Sequence, residues 1–326
     1  MKIAGVGRYL PERVVTSAEL GSLCNVSAEW VEEHAGVVER HWASEAAGET
    51  NASMAARAGQ EALEAAGMQA QDLDCLIYAS ATVQQLIPDT SVFVLRELGI
   101  GNAGKTCLSV HATCLSFVTA LDVAASRIAS GRSSKVLIVS SEITSIGLNF
   151  KDPASAALFG DGAGAAVVTA TPTEEASCME AVRFETYASA AELTTLRGGG
   201  TLCAPNDPRT RPEDNMFYMD GPEILRFTLR RIPRFLSRLL PEGGMQGISC
   251  IVPHQTSRSG LDSMDRLGMK KEIMVRTLER FGNCVAASIP MALYEAIHNG
   301  QLKRGDRCLM IGTSAGLTIG GIVFTY

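Results

Sequence analysis

The chain has 326 residues with a formal net charge of -6, is 46% hydrophobic, 20% charged and 6% aromatic, and contains nine cysteines. That composition belongs to a folding chain with room for about two units of ordinary domain size, not to a disordered one, and the acidic balance leaves no whole-chain electrostatic footprint for nucleic acid. An odd number of cysteines with no C-x-x-C pair fits a reduced compartment better than a disulfide framework or a zinc site, so a cytoplasmic protein without a metal is expected. Lys2, Arg8, Glu12 and Arg13 break up the N-terminal apolar stretch, leaving no signal-peptide pattern, and no window approaches the roughly 18 apolar residues of a membrane span.

In chain order, residues 1–7 read as a strand ended by Tyr9-Leu10-Pro11, and Ser17 and Ser27 as N-caps of short helices. Residues 49–67 form an amphipathic helix stopped by Gly67, residues 73–80 (LDCLIYAS) a buried strand, and residues 89–98 a helix. From Lys105 to Gly131 the sequence reads as a β-branched strand, a tight corner at Cys114, and a helix on which Leu115, Val118, Leu121, Ala125 and Ile128 recur three or four apart. KVLIVSS (135–141) is too apolar to be solvated on either face. Strand and helix alternate, which argues for a largely parallel sheet covered by helices.

The second part of the chain echoes the first. GMQ before LDCLI returns as GMQG before ISCIV, and RIASG before KVLIVSS returns as EAIHNG before DRCLMIGTS. A duplicated α/β unit follows, joined near Pro172 to Cys178, with residues 1–172 carrying the nucleophile and 173–326 carrying its partners. In this pairing Cys114 corresponds to Asn283-Cys284, and His254 lies just past an inner strand end, where open α/β sheets bind ligands. A cysteine at the first turn of a helix faces unpaired N–H groups and the positive end of the helix dipole, which favour thiolate. His254 suits proton transfer near neutrality, while Asn283 taken alone fits a helix N-cap equally well. Together the three compose a nucleophile, a base or donor, and an amide.

Other motifs carry less. FGDGAG (159–164) lacks the following helix that a dinucleotide loop requires and reads as a tight turn. Residues 312–316 (GTSAG), at a strand end, offer N–H groups for an oxyanion. Arg226, Arg230, Arg234 and Arg238 form a basic stripe on a helix that Pro233 should kink; it is either a solvated face or a surface for an acidic partner.

From Ala4 to the C-terminus the sequence resembles the β-ketoacyl-acyl-carrier-protein synthase III family of thiolase-fold condensing enzymes. The resemblance is carried by AEWVEEHAGVVERH (28–41), the Cys114 corner, FGDGAGAAVV, VPHQ (252–255), ERFGNCVAASIPMAL (279–293) and GLTIGG. It implies a five-layered α/β/α/β/α fold of two pseudo-symmetric halves, a homodimer, and a catalytic triad of Cys114, His254 and Asn283. The backbone N–H groups of Cys114 and Ala315 would make the oxyanion hole. The implied chemistry loads an acyl group on Cys114 from a CoA or carrier-protein thioester, then joins it to a malonyl-thioester with loss of CO2; coenzyme A and phosphopantetheine serve as substrate carriers, not as bound cofactors.

Trp30 falls where the family stacks the adenine of CoA, but two arginines expected after it are His34 and Val38, and a third is replaced near Pro153. Ser257 stands for a tunnel asparagine, and Ile87 for a larger residue that plugs the acyl pocket across the dimer, so a roomier pocket for medium or longer chains is expected. Arg226 and Arg266 match basic positions used to dock carrier protein. The alternatives are a non-decarboxylative condensing enzyme, whose glutamate base would fall at Ile87, and a secondary-metabolism acyltransferase of the same fold.

Overall fold

The computed structural model describes residues 1–240, 242 and 244–326. Two sheets carry it. The first orders Lys2–Tyr9, Gly162–Thr169, Lys135–Glu142, Cys75–Ala79 and Thr106–Val110; the second orders Cys178–Thr186, Thr318–Thr325, Arg307–Ser314 and Cys250–Pro253. Read in these directions, both sheets begin with two antiparallel pairings and continue parallel. Where the first sheet has its fifth strand, the second has one parallel bridge, between Ile251 and Met274.

Period-two burial makes the layers. In the wholly buried strand Cys75–Ala79, Ile77 and Ala79 face one core while Leu76 and Tyr78 face another. The middle core holds the helices Ser116–Ala129 and Ser288–His298: Phe117, Leu121, Ile289 and Leu293 pack with Val136 and Ile138 from one sheet and with Val252 and Met310 from the other. Outside the first sheet, Met54, Ala58 and Ala62 of helix Asn51–Ala65 cover Leu137, Val139 and Val167. Outside the second, Phe235 and Leu239 of helix Ile232–Leu239 share a core with Leu309, Ile311 and Val323. The result is the five-layered α/β/α/β/α thiolase-like sandwich, and each fully buried Phe or Leu in it contributes about 1.5–3 kcal/mol.

Three local expectations need correction. Thr16, not Ser17, caps the first helix, because its hydroxyl accepts the Glu19 N–H; the Ser17 hydroxyl donates instead to the Val37 and Val38 carbonyls. The arginine stripe does not lie along one helix: Gly221–Leu229 ends, and Ile232–Leu239 restarts with Pro233 in its first turn, where its missing N–H costs nothing. Finally, the corner equivalent to Cys114 is not Asn283-Cys284. Thr113 and Val285 share a positive φ, 47° and 46°, and each opens a short 3-10 turn that leads into Ser116 or Ser288 of a middle helix. The structural counterpart of Cys114 is therefore Ala286.

Candidate active site

Cys114 sits at the exit of strand Thr106–Val110, in the 3-10 turn Thr113–Leu115. Positive φ is uncommon for a β-branched residue, so Thr113 marks a backbone that the surroundings hold in place. Ser116 does part of this, accepting the Ala112 N–H at 3.0 Å and donating to the Thr113 carbonyl at 2.6 Å. The turn packs against strand Arg307–Ser314 and against the second corner.

The main-chain N–H groups of Cys114 and Ala315 favour the charged form of the Cys114 sulfur. They do not make a thiolate. Burial, reinforced by the nearby Glu142 carboxylate, pushes the thiol up to about 12, because desolvation of the charged form outweighs two main-chain donors. The thiolate expected from position alone is thus corrected to a neutral thiol.

His254 follows strand Cys250–Pro253 and extends its pairing, donating its N–H to the Ile311 carbonyl at 2.9 Å. Burial, with 3% exposure, drives its imidazole down to about 4, so it is neutral at physiological pH. Nδ1 has no partner among the described residues, and neither does the Thr113 hydroxyl. Gly312 makes the approach possible: a Cβ there would stand 2.8 Å from His254 Cβ and 3.2 Å from Leu115 Cδ2. The residue beside the cysteine and the histidine therefore close on the same bare backbone.

Asn283 is held by both sides of its peptide. Its N–H donates to the Leu158 carbonyl at 2.7 Å, and its carbonyl accepts the Gly160 N–H at 3.2 Å. Gly160 is required here, since a Cβ would lie 2.2 Å from the Phe281 carbonyl. Asp161 fixes the same segment, its carboxylate taking the N–H groups of Ala43, Thr144 and Ser145 at 2.7–3.0 Å and the Ser145 hydroxyl at 2.6 Å. The FGDG stretch, read from sequence as a turn, is the clamp on the Asn283 main chain. The side-chain amide accepts the Val285 N–H at 2.9 Å and donates to the Thr256 carbonyl at 3.4 Å, two residues beyond His254.

Sequence reasoning missed two braces. Gln255, wholly buried, donates to the Pro253 and Val275 carbonyls and accepts the Thr277 and Leu278 N–H groups, tying the His254 strand end to the segment that leads to Asn283. Glu142 ends a strand that after Lys135 is apolar or Ser-bearing; a lone acid closing such a buried run is the available signal.

The remaining expected residues lie farther out. Trp30 is half-buried on helix Ala28–Ala35, with one indole face covered by His34 at a ring-centroid distance of 4.1 Å. Ser257 is the N-cap of helix Arg258–Arg266, accepting the Gly260 N–H. Ile87 is 86% exposed beside exposed Leu86. Arg226 is exposed and pairs with Glu223, and Arg266 is exposed in the last turn of its helix. Arg230, Arg231 and Arg234 instead line a groove of about 450 Å³ with Tyr187. Arg231 stacks on the Phe227 ring there, while Arg238 pairs with Glu185. Among the described residues no three His, Cys, Asp or Glu side chains gather as metal ligands, and no helix is long and apolar enough to cross a membrane.

A half-buried cysteine at a strand-to-helix corner, with a neutral imidazole and a clamped carboxamide between two stacked sheets, defines a thiolase-fold condensing enzyme. Profiles of the 3-oxoacyl-[acyl-carrier-protein] synthase III family match residues 108–188, and those of its C-terminal part match residues 243–326. The β-ketoacyl-[acyl-carrier-protein] synthase III of Aquifex aeolicus is 34% identical over 100% of this chain and 99% of its own, and that of Neisseria meningitidis serogroup A is 33% identical over 100% and 99%. The crystal structure of the Aquifex aeolicus enzyme superposes with a TM-score of 0.89 at 34% identity, covering 100% of this chain and 99% of that one. The chain belongs to the 3-oxoacyl-[acyl-carrier-protein] synthase III family, and it is an acyltransferase of the condensing type.

Proposed function

We propose that Cys114 is the acyl carrier and that His254 and Asn283 serve the carbon–carbon step. In loading, the Cys114 sulfur bonds to the carbonyl carbon of an acyl thioester, the old C–S bond breaks, and the thiol proton leaves with the departing CoA or phosphopantetheine thiol. Because the thiol is held near 12, proton loss accompanies attack, and the product is a neutral thioester, cheaper to bury than a thiolate. The Cys114 and Ala315 N–H groups then face the acyl oxygen. In condensation, malonyl thioester loses CO2 and its electrons move to an enolate oxygen that His254 and Asn283 stabilise with neutral N–H donors. The enolate carbon attacks the acyl carbon, a C–C bond forms as the C–S bond to Cys114 breaks, and the released thiolate takes a proton from solvent. The observation that carries this reading is the neutral, buried His254 two residues before Thr256, whose carbonyl holds the Asn283 amide.

The acceptor is read as malonyl-carrier protein. Arg226, Arg266 and the groove of Arg230, Arg231 and Arg234 would face its acidic surface. Trp30 and Ser257 would line the path of the thioester arm. The outer-edge strand Thr106–Val110 leaves one side unpaired, and exposed Leu86 and Ile87 add apolar surface, which together suit a homodimer. Ile87 in place of a larger side chain favours medium or longer acyl chains. Residues 1–172 and 173–326 are read as the two duplicated halves. A second reading, priming of a specialised product, is favoured by 30% identity over 99% of this chain, with a TM-score of 0.88, to the priming β-ketosynthase of the R1128 polyketide pathway.

Intact-mass measurement across a panel of acyl-CoA and acyl-carrier-protein thioesters, followed by a chase with malonyl-carrier protein, tests the proposal. Acylation confined to Cys114 and strongest for octanoyl or longer donors, then CO2 and a 3-ketoacyl product, is expected. Acyl transfer without CO2 would overturn the condensation step, and equal loading by acetyl and octanoyl donors would overturn the roomy pocket.

A further inference from the structure

We infer that Glu142 is a positioning residue for the nucleophile: its carboxylate clamps the second corner to the loop after strand Cys75–Ala79, and its negative charge acts on the Cys114 sulfur at the first. The inference rests on the reading of Cys114 as nucleophile. Glu142 is wholly buried at the end of strand Lys135–Glu142 and sits in no ion pair among the described residues. Four donors converge on it. Oε1 accepts the Ala81 N–H at 2.7 Å and the Ala286 N–H at 3.3 Å; Oε2 accepts the Thr82 N–H at 2.8 Å and the Thr82 hydroxyl at 2.7 Å. Thr82 is itself fixed by Asn51, whose amide donates to the Thr82 hydroxyl oxygen and to the Ser141 carbonyl.

Ala286 is the structural counterpart of Cys114, so the carboxylate binds the main chain of one corner while its charge acts on the side chain of the other. The first corner closes on itself through Ser116. At the second, the matching Ser288 hydroxyl has no partner among the described residues, and the closing bond comes from Glu142. A carboxylate in this place does two things that an amide cannot. It accepts from all four donors at once, and it disfavours a second negative charge on Cys114. The other groups whose charge bears on this space are Tyr78, Cys284 and Asp161, with Glu142 acting on the first two. His254, across Gly312, is neutral. Burial lifts Glu142 itself to about 7, so its charge is present above that pH and absent well below it.

Iodoacetamide alkylation of Cys114 across pH, read by intact and peptide mass in wild type, Glu142→Gln and Glu142→Asp, tests this without any acyl substrate, so its failure is distinct from failure of the condensation reading. In Glu142→Gln, the alkylation midpoint should fall by about one pH unit or more, equivalent to about tenfold in rate at fixed pH. The ratio of variant to wild-type rate should climb as pH rises through 7. An unchanged midpoint in a folded variant would overturn the inference. Opening of the fold is recognised by labelling of the buried Cys250, Cys284 and Cys308. In that event Glu142→Asp, which keeps the charge on a shorter arm, decides: a midpoint that stays near the wild-type one supports the inference, and a midpoint lowered by about one pH unit or more overturns it.

Discussion

The corners around Cys114 and Ala286 begin alike and end differently. Both follow a β-branched residue at positive φ, and both feed a helix of the middle layer through a 3-10 turn. At the first corner the serine after the turn satisfies the local backbone, which leaves the cysteine side chain without structural duty. At the second, Asn283 and Glu142 take the N–H groups of Val285 and Ala286, so the polar side chains there hold the turn as well as face the site. On the proposed reading, one corner is left free for covalent chemistry and the other is stiffened to present an amide. Duplication supplies the geometry, and the division of labour comes from which side chain satisfies the turn.

The sharpest break in that comparison is a pair of substitutions. Cys114→Ala should abolish acylation seen by intact mass while leaving the melting temperature within a few degrees, since its thiol closes no turn. Asn283→Ala should retain acylation but lose condensation by on the order of 10²–10³, the scale of one lost transition-state donor, and lower stability by about 1–2 kcal/mol in urea melts as the Val285 N–H loses its partner. Equal losses of loading in both variants would erase the distinction between the corners.

A smaller effect concerns pH. His254 has a folded value near 4 against an ordinary 6.5, so the unfolded chain binds the extra proton first as pH falls. Its contribution is complete above 6.5 and disappears as pH drops towards 4, on the order of 3 kcal/mol in all. Glu142 works in the opposite sense: raised to about 7, it contributes stability at low pH that is lost as pH rises from 4.5 through 7. Urea melts of wild type against His254→Gln isolate the histidine. The wild type should lose its advantage over the variant between pH 6.5 and 4, and a constant difference would mean that the imidazole is not held neutral by the fold.

The mildest change lies outside both corners. Charge reversal at Arg230 and Arg234 together should raise KM for malonyl-carrier protein several-fold and flatten its salt dependence, with malonyl-CoA use unaltered. Identical salt profiles would remove the arginine groove from carrier docking.

Much of this is legible in the amino-acid sequence. The buried runs 73–80 and 135–141 could only be inner strands, and the repeat placed a histidine at a strand end and an asparagine near a helix start. What failed did so for local reasons. The repeat aligns on composition, and the slip of two to three residues between Asn283-Cys284 and Ala286 shows only in backbone angles. The helix dipole alone points to a thiolate, an influence that burial and a carboxylate 28 residues along the chain, at Glu142, overwhelm. FGDG read as a turn because its partner, Asn283, lies far away in sequence. Long-range closure of polar groups is invisible to spacing rules.

The clamp on Asn283 also sets where the molecule can yield. With its N–H given to Leu158 and its carbonyl taken by Gly160, this amide proton should exchange with deuterium only when the sheet region itself opens, on the slowest timescale the protein has. Substrate entry must then be accommodated by segments of low local protection. The exposed residues Leu86, Ile87, Leu196 and Leu202 should trade their amide protons quickly while the segment that holds Asn283 stays silent.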